Sequence, residues 1–272
     1  MTNQRGQRSA RYRWRHLSAI VASASMACLA LAGSVFAQDA PMPAAGPASP
    51  PREICNVPKG LLPSGASLRH ARSKWFKGEP LIIVAVGSGS TAGSGSGGEE
   101  AAYPHYLHEA LLTRFPDREV QIINQGHSGD SAAAMAARFP TEVLSQKPDL
   151  VIWQTGTVDA VRSLKVDNFA STINAGISVL SAGNADVILV NPQYAARIEL
   201  LINYDPYLSA MDLAASQTDA TLFDRFHVMR HWVSKGTIDL STGSRELRRK
   251  KAEEAQACIG MLLSDIITRS LR

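Results

Sequence analysis

From Leu81 onward, short runs of apolar residues alternate with longer segments in which apolar residues recur every three or four positions. The short runs predict strands, and the periodic segments predict helices. The predicted strands are Leu81–Val86, Val120–Ile123, Leu150–Gln154 and Val187–Val190, and the predicted helices are Tyr103–Phe115, Ser131–Phe139, Phe169–Ser181 and about Glu246–Thr268. Strand and helix therefore take turns through most of the chain.

The predicted strands are apolar at nearly every position rather than at every second one. Strands of this kind are buried on both faces, which is typical of a parallel sheet covered by helices on both sides. The pattern therefore predicts an α/β fold. Ligands bind beyond the carboxyl ends of the strands in such sheets, so a site is expected in the loops that begin at Gly87, Asn124, Thr155 and Asn191.

The first 37 residues are organised like a secretory signal peptide. Five Arg precede an apolar stretch that starts near Leu17, and Val35-Phe36-Ala37 offers small residues for cleavage before Gln38. A retained membrane anchor is the alternative. Lipidation at Cys28 is disfavoured because no large aliphatic residue stands three positions before it. We expect an exported protein, periplasmic or secreted, with no membrane span after cleavage.

Residues 38–51 contain the Pro/Ala-rich stretch PMPAAGPASPP, which lacks apolar periodicity and predicts a tether to a single domain at 52–272. The whole chain has a formal net charge of +4. The predicted signal peptide holds five Arg and no acid, which leaves 23 Lys and Arg against 24 Asp and Glu. We therefore expect no nucleic-acid partner.

Two cysteines, Cys55 and Cys258, remain outside the predicted signal peptide. In an oxidising compartment they could pair and close a loop of about 200 residues. Two unrelated buried thiols are the alternative, and the sequence leaves both open.

The loop after the first strand reads GSGSTAGSGSG, and its Gly87-Ser88-Gly89 supplies the start of a dinucleotide fingerprint. The third glycine, the lysine of a phosphate-binding loop and an acidic ribose ligand are missing or misplaced. The sequence therefore predicts no cofactor.

Four loop segments, VAVGSGSTAG, NQGHSGDSA, VIWQTGTVDA and FDRFHVMRHW…IDLST, follow one another in the order and spacing of the four sequence blocks of the SGNH (GDSL-type) esterase family. Together they cover the chain from about residue 80 to its end, and the flanking text is similar to that of exported bacterial members. This resemblance implies a flavodoxin-like three-layer α/β/α sandwich with a central parallel sheet. It also implies an ester hydrolase with a Ser-His-Asp triad.

Most of the family's functional positions hold other residue types here. Gly89 stands at the nucleophilic Ser, Val158 at the Asn that donates to the oxyanion, and Thr242 at the His base. Gly126 is matched to the glycine whose N–H contributes to the oxyanion hole, and Asp239 to the aspartate that orients the His. Gly89 cannot attack a carbonyl, Val158 donates no hydrogen bond, and Thr242 is no base at neutral pH. The resemblance therefore predicts a degenerate catalytic apparatus, a pseudoenzyme.

Nearby groups are candidate replacements. Ser88 and Ser90 flank the vacant position, and His127 follows Gly126 directly, whereas the alternative is that all three are ordinary loop residues. His227 and His231 are two further histidines, four residues apart. Since they have no third ligand at a recognisable spacing, we expect no metal site.

The basic run Arg248–Lys251 opens the last predicted helix. A solvated helix face is one interpretation, and a docking patch for an acidic envelope polymer is the other.

Three functions remain open. The favoured one is an exported binding protein whose cleft, lined by the loops at 87–98, 126–130, 156–159 and around Asp239, holds an envelope glycan, an acylated small molecule or a protein partner. The second is an active ester hydrolase or acyltransferase that uses Ser88 or Ser90 with a relocated His. The third is a structural envelope component whose cleft is filled by side chains such as Val158.

Overall fold

The computed structural model describes residues 52–272. The predicted signal peptide (1–37) and linker (38–51) lie outside the described residues. Within 52–272, none of the helices combines the length and the apolar character needed to span a bilayer.

The domain is built on one sheet of five parallel strands in the order β2-β1-β3-β4-β5. Leu81 of β1 lies opposite Val120 of β2, and Ile83 lies opposite Leu150 of β3. The strands are β1 (Leu81–Gly87), β2 (Val120–Gly126), β3 (Leu150–Gln154), β4 (Asp186–Val190) and β5 (Thr221–Phe223).

Helices cover both faces of the sheet. One group, α1, α2 and α9, packs together, and the group of α3, α5 and α7 packs together on the opposite side, as right-handed crossovers require. This confirms the predicted flavodoxin-like α/β/α sandwich. The helices are α1 (Arg69–Phe76), α2 (Tyr103–Arg114), α3 (Ala132–Ala137), α4 (Thr157–Val161), α5 (Val166–Ala182), α6 (Ala196–Glu199), α7 (Asp205–Gln217), α8 (Arg225–Ser234) and α9 (Arg245–Leu271).

All four predicted strands and the long predicted helices are present, with ends that differ by a few residues. The predicted helix Ser131–Phe139 is shorter than expected. It ends at Ala137, and a wider π-helical turn, Phe139–Val143, follows it. Pro140 stands in that turn and has no N–H for a regular helical hydrogen bond.

Five helices and one strand were not predicted: α1, α4, α6, α7, α8 and β5. Helix α1 buries only Ala71 and Trp75 among mostly basic neighbours, so its apolar period is too short to stand out. Strand β5 has only three residues and lies at the edge of the sheet, where the apolar run is brief.

The two central helices of one layer, α2 and α9, approach closely at Gly260. A Cβ at this position would lie 2.7 Å from the backbone nitrogen of Leu107 and 2.8 Å from the Cβ of Tyr106. Only a residue without a side chain allows this contact. The buried residues of α9, among them Ile259, Leu263 and Ile267, then reach the sheet.

Cys55 and Cys258 form a disulfide with a Cα–Cα distance of 5.1 Å. Both are buried, and the bond joins the short turn Arg52–Cys55 to the middle of α9 across 203 residues of chain. The structure therefore decides between the two alternatives that the sequence left open, in favour of pairing.

The contact at Gly260 makes a first prediction. Gly260→Ala should lower the free energy of unfolding by about 1–3 kcal/mol, because the overpacking outweighs the roughly 1 kcal/mol that Ala gains in helix propensity. Urea unfolding followed by circular dichroism measures the change. Gly60→Ala is the matched control, since a Cβ at Gly60 would meet no atom within 4 Å. Equal midpoints for the two variants would contradict the packing argument.

The disulfide makes a second prediction. The double variant Cys55→Ala/Cys258→Ala should lose about 2–5 kcal/mol of stability, because the unfolded chain regains the freedom of a long open loop. Urea unfolding without reductant measures this loss, and the wild-type protein treated with reductant should fall to the same level. A double variant as stable as the oxidised wild type would refute the assignment.

Candidate functional site

A cavity of about 380 Å³ opens at the carboxyl end of the sheet. It lies where the strand order reverses between β1 and β3, the position at which open α/β sheets bind ligands. Loops after β1, β3 and β4, together with α8 and α9, form its walls. The lining residues are Ser88, Gly89, Ser90, Ser94, Gly95, Gln154, Thr157, Gln193, Arg225, Met229, Leu240, Ala252, Ala255, Gln256 and Ile259.

The loop after β1 is held in place by one buried side chain, Gln154, at the end of β3. Its Oε1 accepts hydrogen bonds from the N–H of Ser88 (3.3 Å), the hydroxyl of Ser90 (2.9 Å) and the hydroxyl of Thr91 (3.2 Å). A Cβ at Gly87 would collide with Thr91, so the tight turn also requires glycine there. These contacts fix the shape of the loop.

Gly89, which the sequence analysis matched to the family's nucleophile, lines the cavity. A Cβ there would meet only ordinary contacts, 3.8 Å to Ser128 Oγ and 3.8 Å to Ser94 Cβ. The position therefore has room for a side chain.

Neither neighbouring serine is activated. The hydroxyl of Ser90 donates to Gln154 and accepts from Nη1 of Arg225 (2.9 Å). The Oγ of Ser88 accepts from the N–H of Gly129 (3.3 Å). A hydroxyl that accepts from a cation is a poorer nucleophile, and no hydrogen bond joins either serine to an imidazole in the described domain.

Arg225, at the start of α8, is the residue of the cavity that sequence reasoning missed. It is 0% exposed, its Nε donates to the carbonyl of Asn191 (3.1 Å), and its Nη2 is buried with no hydrogen-bond partner. Burial lowers the pKa of Arg225 to about 10, so the guanidinium stays charged at neutral pH. No linear motif signals an arginine of this kind, because its burial depends on how β5 and α8 meet the first loop.

The structure does not fit the prediction that the N–H of Gly126 serves the oxyanion hole. The N–H of Gly126 already donates to Asn124 Oδ1 (3.0 Å), and its Cα packs against the backbone of Thr91 and Ala92. The N–H that faces the first loop belongs to Gly129, which reaches Ser88. Gly129 has a φ of +87°, in the left-handed region that favours glycine.

Val158 lies on α4, half-buried, while its neighbour Thr157 lines the cavity. The hydroxyl of Thr157 accepts from the N–H of Gln193 (3.3 Å), so it ties the loops after β3 and β4 together. Asp159, the last residue of the same block, is buried and accepts from the N–H of Ala132 at the start of α3. Burial raises the pKa of Asp159, and its role is structural.

Asp239, which the sequence analysis matched to the family's orienting carboxylate, accepts its hydrogen bonds within its own turn. Its Oδ1 accepts from the N–H (2.8 Å) and the hydroxyl (2.6 Å) of Ser241. These bonds, with a weaker one from Thr242, lower the pKa of Asp239. Thr242 itself is exposed, and from this turn it is Leu240 that lines the cavity.

His127 faces carboxylates rather than serines. Its Nε2 lies 3.6 Å from Glu142 and its Nδ1 lies 3.9 Å from Asp130, and half of its side chain is exposed. Arg138 bridges the same two acids. His127 therefore belongs to a charged surface network outside the cavity lining.

A second feature missed from sequence is the pair Asp224–His227. Nδ1 of His227 lies 2.7 Å from Asp224 Oδ2, while Asp224 Oδ1 accepts from Asn191. The residues spell Asp-x-x-His, the pattern of the family's last block, and this signal was available in the sequence. His227 is not among the residues that line the cavity. Its ring packs beside Phe226.

Residues 52–272 contain no group of three or more His, Cys, Asp or Glu side chains arranged to hold a metal ion.

Two known proteins are similar to this chain in sequence. An arylesterase of Vibrio mimicus is 31% identical over 112 residues, which cover 40% of this chain and 54% of the arylesterase. An acetylxylan esterase of Geobacillus stearothermophilus is 26% identical over 151 residues, which cover 50% of this chain and 67% of that enzyme. The chain thus spans about half the length of the first relative and about two thirds of the second.

Solved structures share the fold. The acetylxylan esterase Axe2 from Geobacillus stearothermophilus superposes with a TM-score of 0.53 at 18% identity, over 67% of this chain and 94% of Axe2. LAE5, an α/β hydrolase enzyme from the metagenome of Lake Arreo, superposes with a TM-score of 0.51 at 22% identity, over 68% of this chain and 98% of LAE5. At these identities the likeness concerns the fold alone.

The family model of the Non-GDSL lipase-like family matches residues 54–272, nearly the whole described domain. Because this match covers most of the chain, it shows that the chain belongs to the Non-GDSL lipase-like family.

Proposed function

We propose that this protein is an exported, non-hydrolysing member of its family that binds an acylated glycan or an acylated small molecule of the cell envelope in the cavity beside Gly89. In this proposal the protein retains a ligand-binding cleft but does not hydrolyse the ester of its ligand.

The observation that carries the proposal is the absence of a nucleophile–base pair around the cavity of the described domain. Gly89 has no hydroxyl, and the hydroxyl of Ser90 lies between Gln154 and the cationic Arg225. Asp239 accepts its hydrogen bonds from Ser241, whereas in a triad it would accept one from the histidine base. Triad members act as a unit, so without them only about 10³–10⁴-fold acceleration remains from the oxyanion hole and binding.

The walls of the cavity support a binding role. Amide and hydroxyl groups of Ser94, Thr157 and Gln193 can bond sugar hydroxyls, while Met229 and Ile259 offer apolar surface to an acyl group or a sugar face. The names of the two sequence relatives, an arylesterase and an acetylxylan esterase, point to acylated ligands for this cleft. The open cavity argues against a purely structural component with a filled cleft.

Export is part of the proposal. The Cys55–Cys258 disulfide suits an oxidising compartment such as the periplasm, and the first 37 residues resemble a signal peptide.

The second candidate is an active ester hydrolase, and the hydrogen-bonded Asp224–His227 pair is the observation that favours it. This pair has the composition of a base and its orienting carboxylate. The hydrolase candidate is weaker than the binding proposal because His227 lies outside the cavity lining and forms no hydrogen bond with Ser88 or Ser90.

The two candidates differ in a simple assay. Purified protein incubated with p-nitrophenyl acetate or acetylated xylan should release product no faster than a heat-denatured sample, because no residue can form an acyl intermediate. Turnover that disappears in Ser90→Ala or His227→Ala, but survives in the surface variant Ser178→Ala, would establish the hydrolase and refute the binding proposal.

Restoring the missing groups tests the residue assignments. The triple variant Gly89→Ser/Val158→Asn/Thr242→His should hydrolyse p-nitrophenyl acetate at least about tenfold faster than the wild type, since one oxyanion donor alone can contribute about 10²-fold. The matched control is Gly89→Ala/Val158→Asn/Thr242→His, which has the same added groups but lacks the nucleophilic hydroxyl. Equal rates for the two triple variants would show that position 89 is not the nucleophile position.

A further inference from the structure

We propose that the ligand of this cavity is an anionic sugar, a glycan unit with a carboxylate or phosphate group, held by the charge of Arg225 at the inner end and of Arg248 and Arg249 at the mouth. The inference rests on the proposed binding function and names the chemistry of its ligand.

The first argument is the unbalanced charge of Arg225. A buried guanidinium is costly unless a carboxylate and hydrogen bonds compensate it. Arg138, also buried, has such partners in Asp130 (3.0 Å) and Glu142 (2.9 Å). Arg225 bonds only a hydroxyl and a carbonyl, and it forms no ion pair within residues 52–272.

Arg225 also lies directly behind the wall of the cavity. Because its side chain is fully buried, its charge acts on a ligand through space and not by direct contact. Its Nη1 is 2.9 Å from Ser90 Oγ, and both residues line the cavity. Attraction between charges is stronger in a protein cavity than in water because the effective dielectric constant is lower. An anion in the cavity would supply the countercharge that the described domain does not.

The second argument comes from the mouth. A second cavity of about 660 Å³ shares Ser94, Gly95, Leu240 and Ala252 with the first, so the two adjoin. Its wall on α9 contains three arginines and one acid, Glu246. Arg245, Arg248 and Arg249 form no ion pair within the described residues, whereas the nearby Lys251 is paired with Glu254 (2.7 Å).

The uncharged residues of the cavity wall favour a sugar as the part of the ligand that bears the anionic group. Hydroxyl and amide side chains such as Ser94, Gln193 and Gln256 alternate with apolar ones such as Leu240 and Ile259. Pockets of this mixed kind fix orientation through a few polar groups and gain affinity from apolar contact. Arginine is suited to carboxylate and phosphate because its planar fork matches both.

Isothermal titration calorimetry with two matched pairs of probes tests the proposal. The carboxylate pair is trigalacturonate and its fully methyl-esterified form, and the phosphate pair is glucose 6-phosphate and glucose. At least one anion should bind about tenfold more tightly than its neutral partner, and added salt should weaken that binding. Which pair shows the difference identifies the anionic group.

Variants at the mouth give the control. Arg248→Gln/Arg249→Gln should weaken binding of the anion about tenfold. Lys250→Gln removes a charge from the same exposed turn of α9 but lies outside both cavity walls, so it should leave affinity unchanged. Equal losses in these two variants would overturn the assignment to the cleft.

At the inner end, Arg225→Met should abolish the preference for the anion, and Arg225→Lys should keep part of it. If Arg225→Met does not fold, as its circular dichroism would show, Arg225→Lys and the mouth variants decide.

Anion recognition and the proposed non-hydrolysing function are tested by different results. Equal affinity for a neutral sugar and its charged partner, or binding of none of the four probes, would overturn anion recognition and leave the question of hydrolysis untouched. Ester hydrolysis by the wild type would overturn the non-hydrolysing function, whereas anion recognition is judged by affinity alone.

Discussion

Strands β1, β3 and β4 are buried on both faces, and this constraint decides where polar chemistry can lie in the molecule. Apolar side chains fill both sides of the sheet, so polar groups gather where the strands end. Gln154 is the first polar side chain at the end of β3, and it binds the loop after β1 through three hydrogen bonds. The shape of the whole site depends on this contact, because Ser90 and Gly89 take their positions from it.

The loop is thus fixed in place, but no hydroxyl on it is hydrogen-bonded to an imidazole of the described domain. At the position that the sequence analysis matched to the family's nucleophile, Gly89 leaves space, and the neighbouring Ser90 receives a hydrogen bond from Arg225. The hydroxyl of Ser90 donates its proton to Gln154 Oε1, an amide oxygen that cannot act as a base, and the guanidinium of Arg225 occupies one of the lone pairs that would attack. The same guanidinium leaves an uncompensated positive charge beside the cavity, and this charge is the basis for the proposed anionic ligand.

The stability of this arrangement comes from elsewhere in the fold. Gly260 lets α2 and α9 pack closely, and the disulfide to Cys258 fixes the start of the domain to α9. Helix α9 also supplies one wall of the cavity and the arginines at its mouth. A rigidly held helix keeps those arginines at a constant distance from the first loop.

The sequence by itself determined four of the five strands and the alternating order of strands and helices, because apolar periodicity is a local property. It also supplied the family resemblance from which the substitutions at Gly89, Val158 and Thr242 are predicted. It pointed to Gly126 where the structure places the N–H of Gly129 against the loop, since a motif gives spacing and does not say where an N–H points. Only the tertiary structure decided that Cys55 and Cys258 pair, that His127 turns to Asp130 and Glu142, and that Arg225 is buried without a carboxylate. These features depend on contacts between residues 100 or more positions apart, or on the direction of a side chain. A sequence pattern predicts neither, because it reflects only the local conformation of the chain.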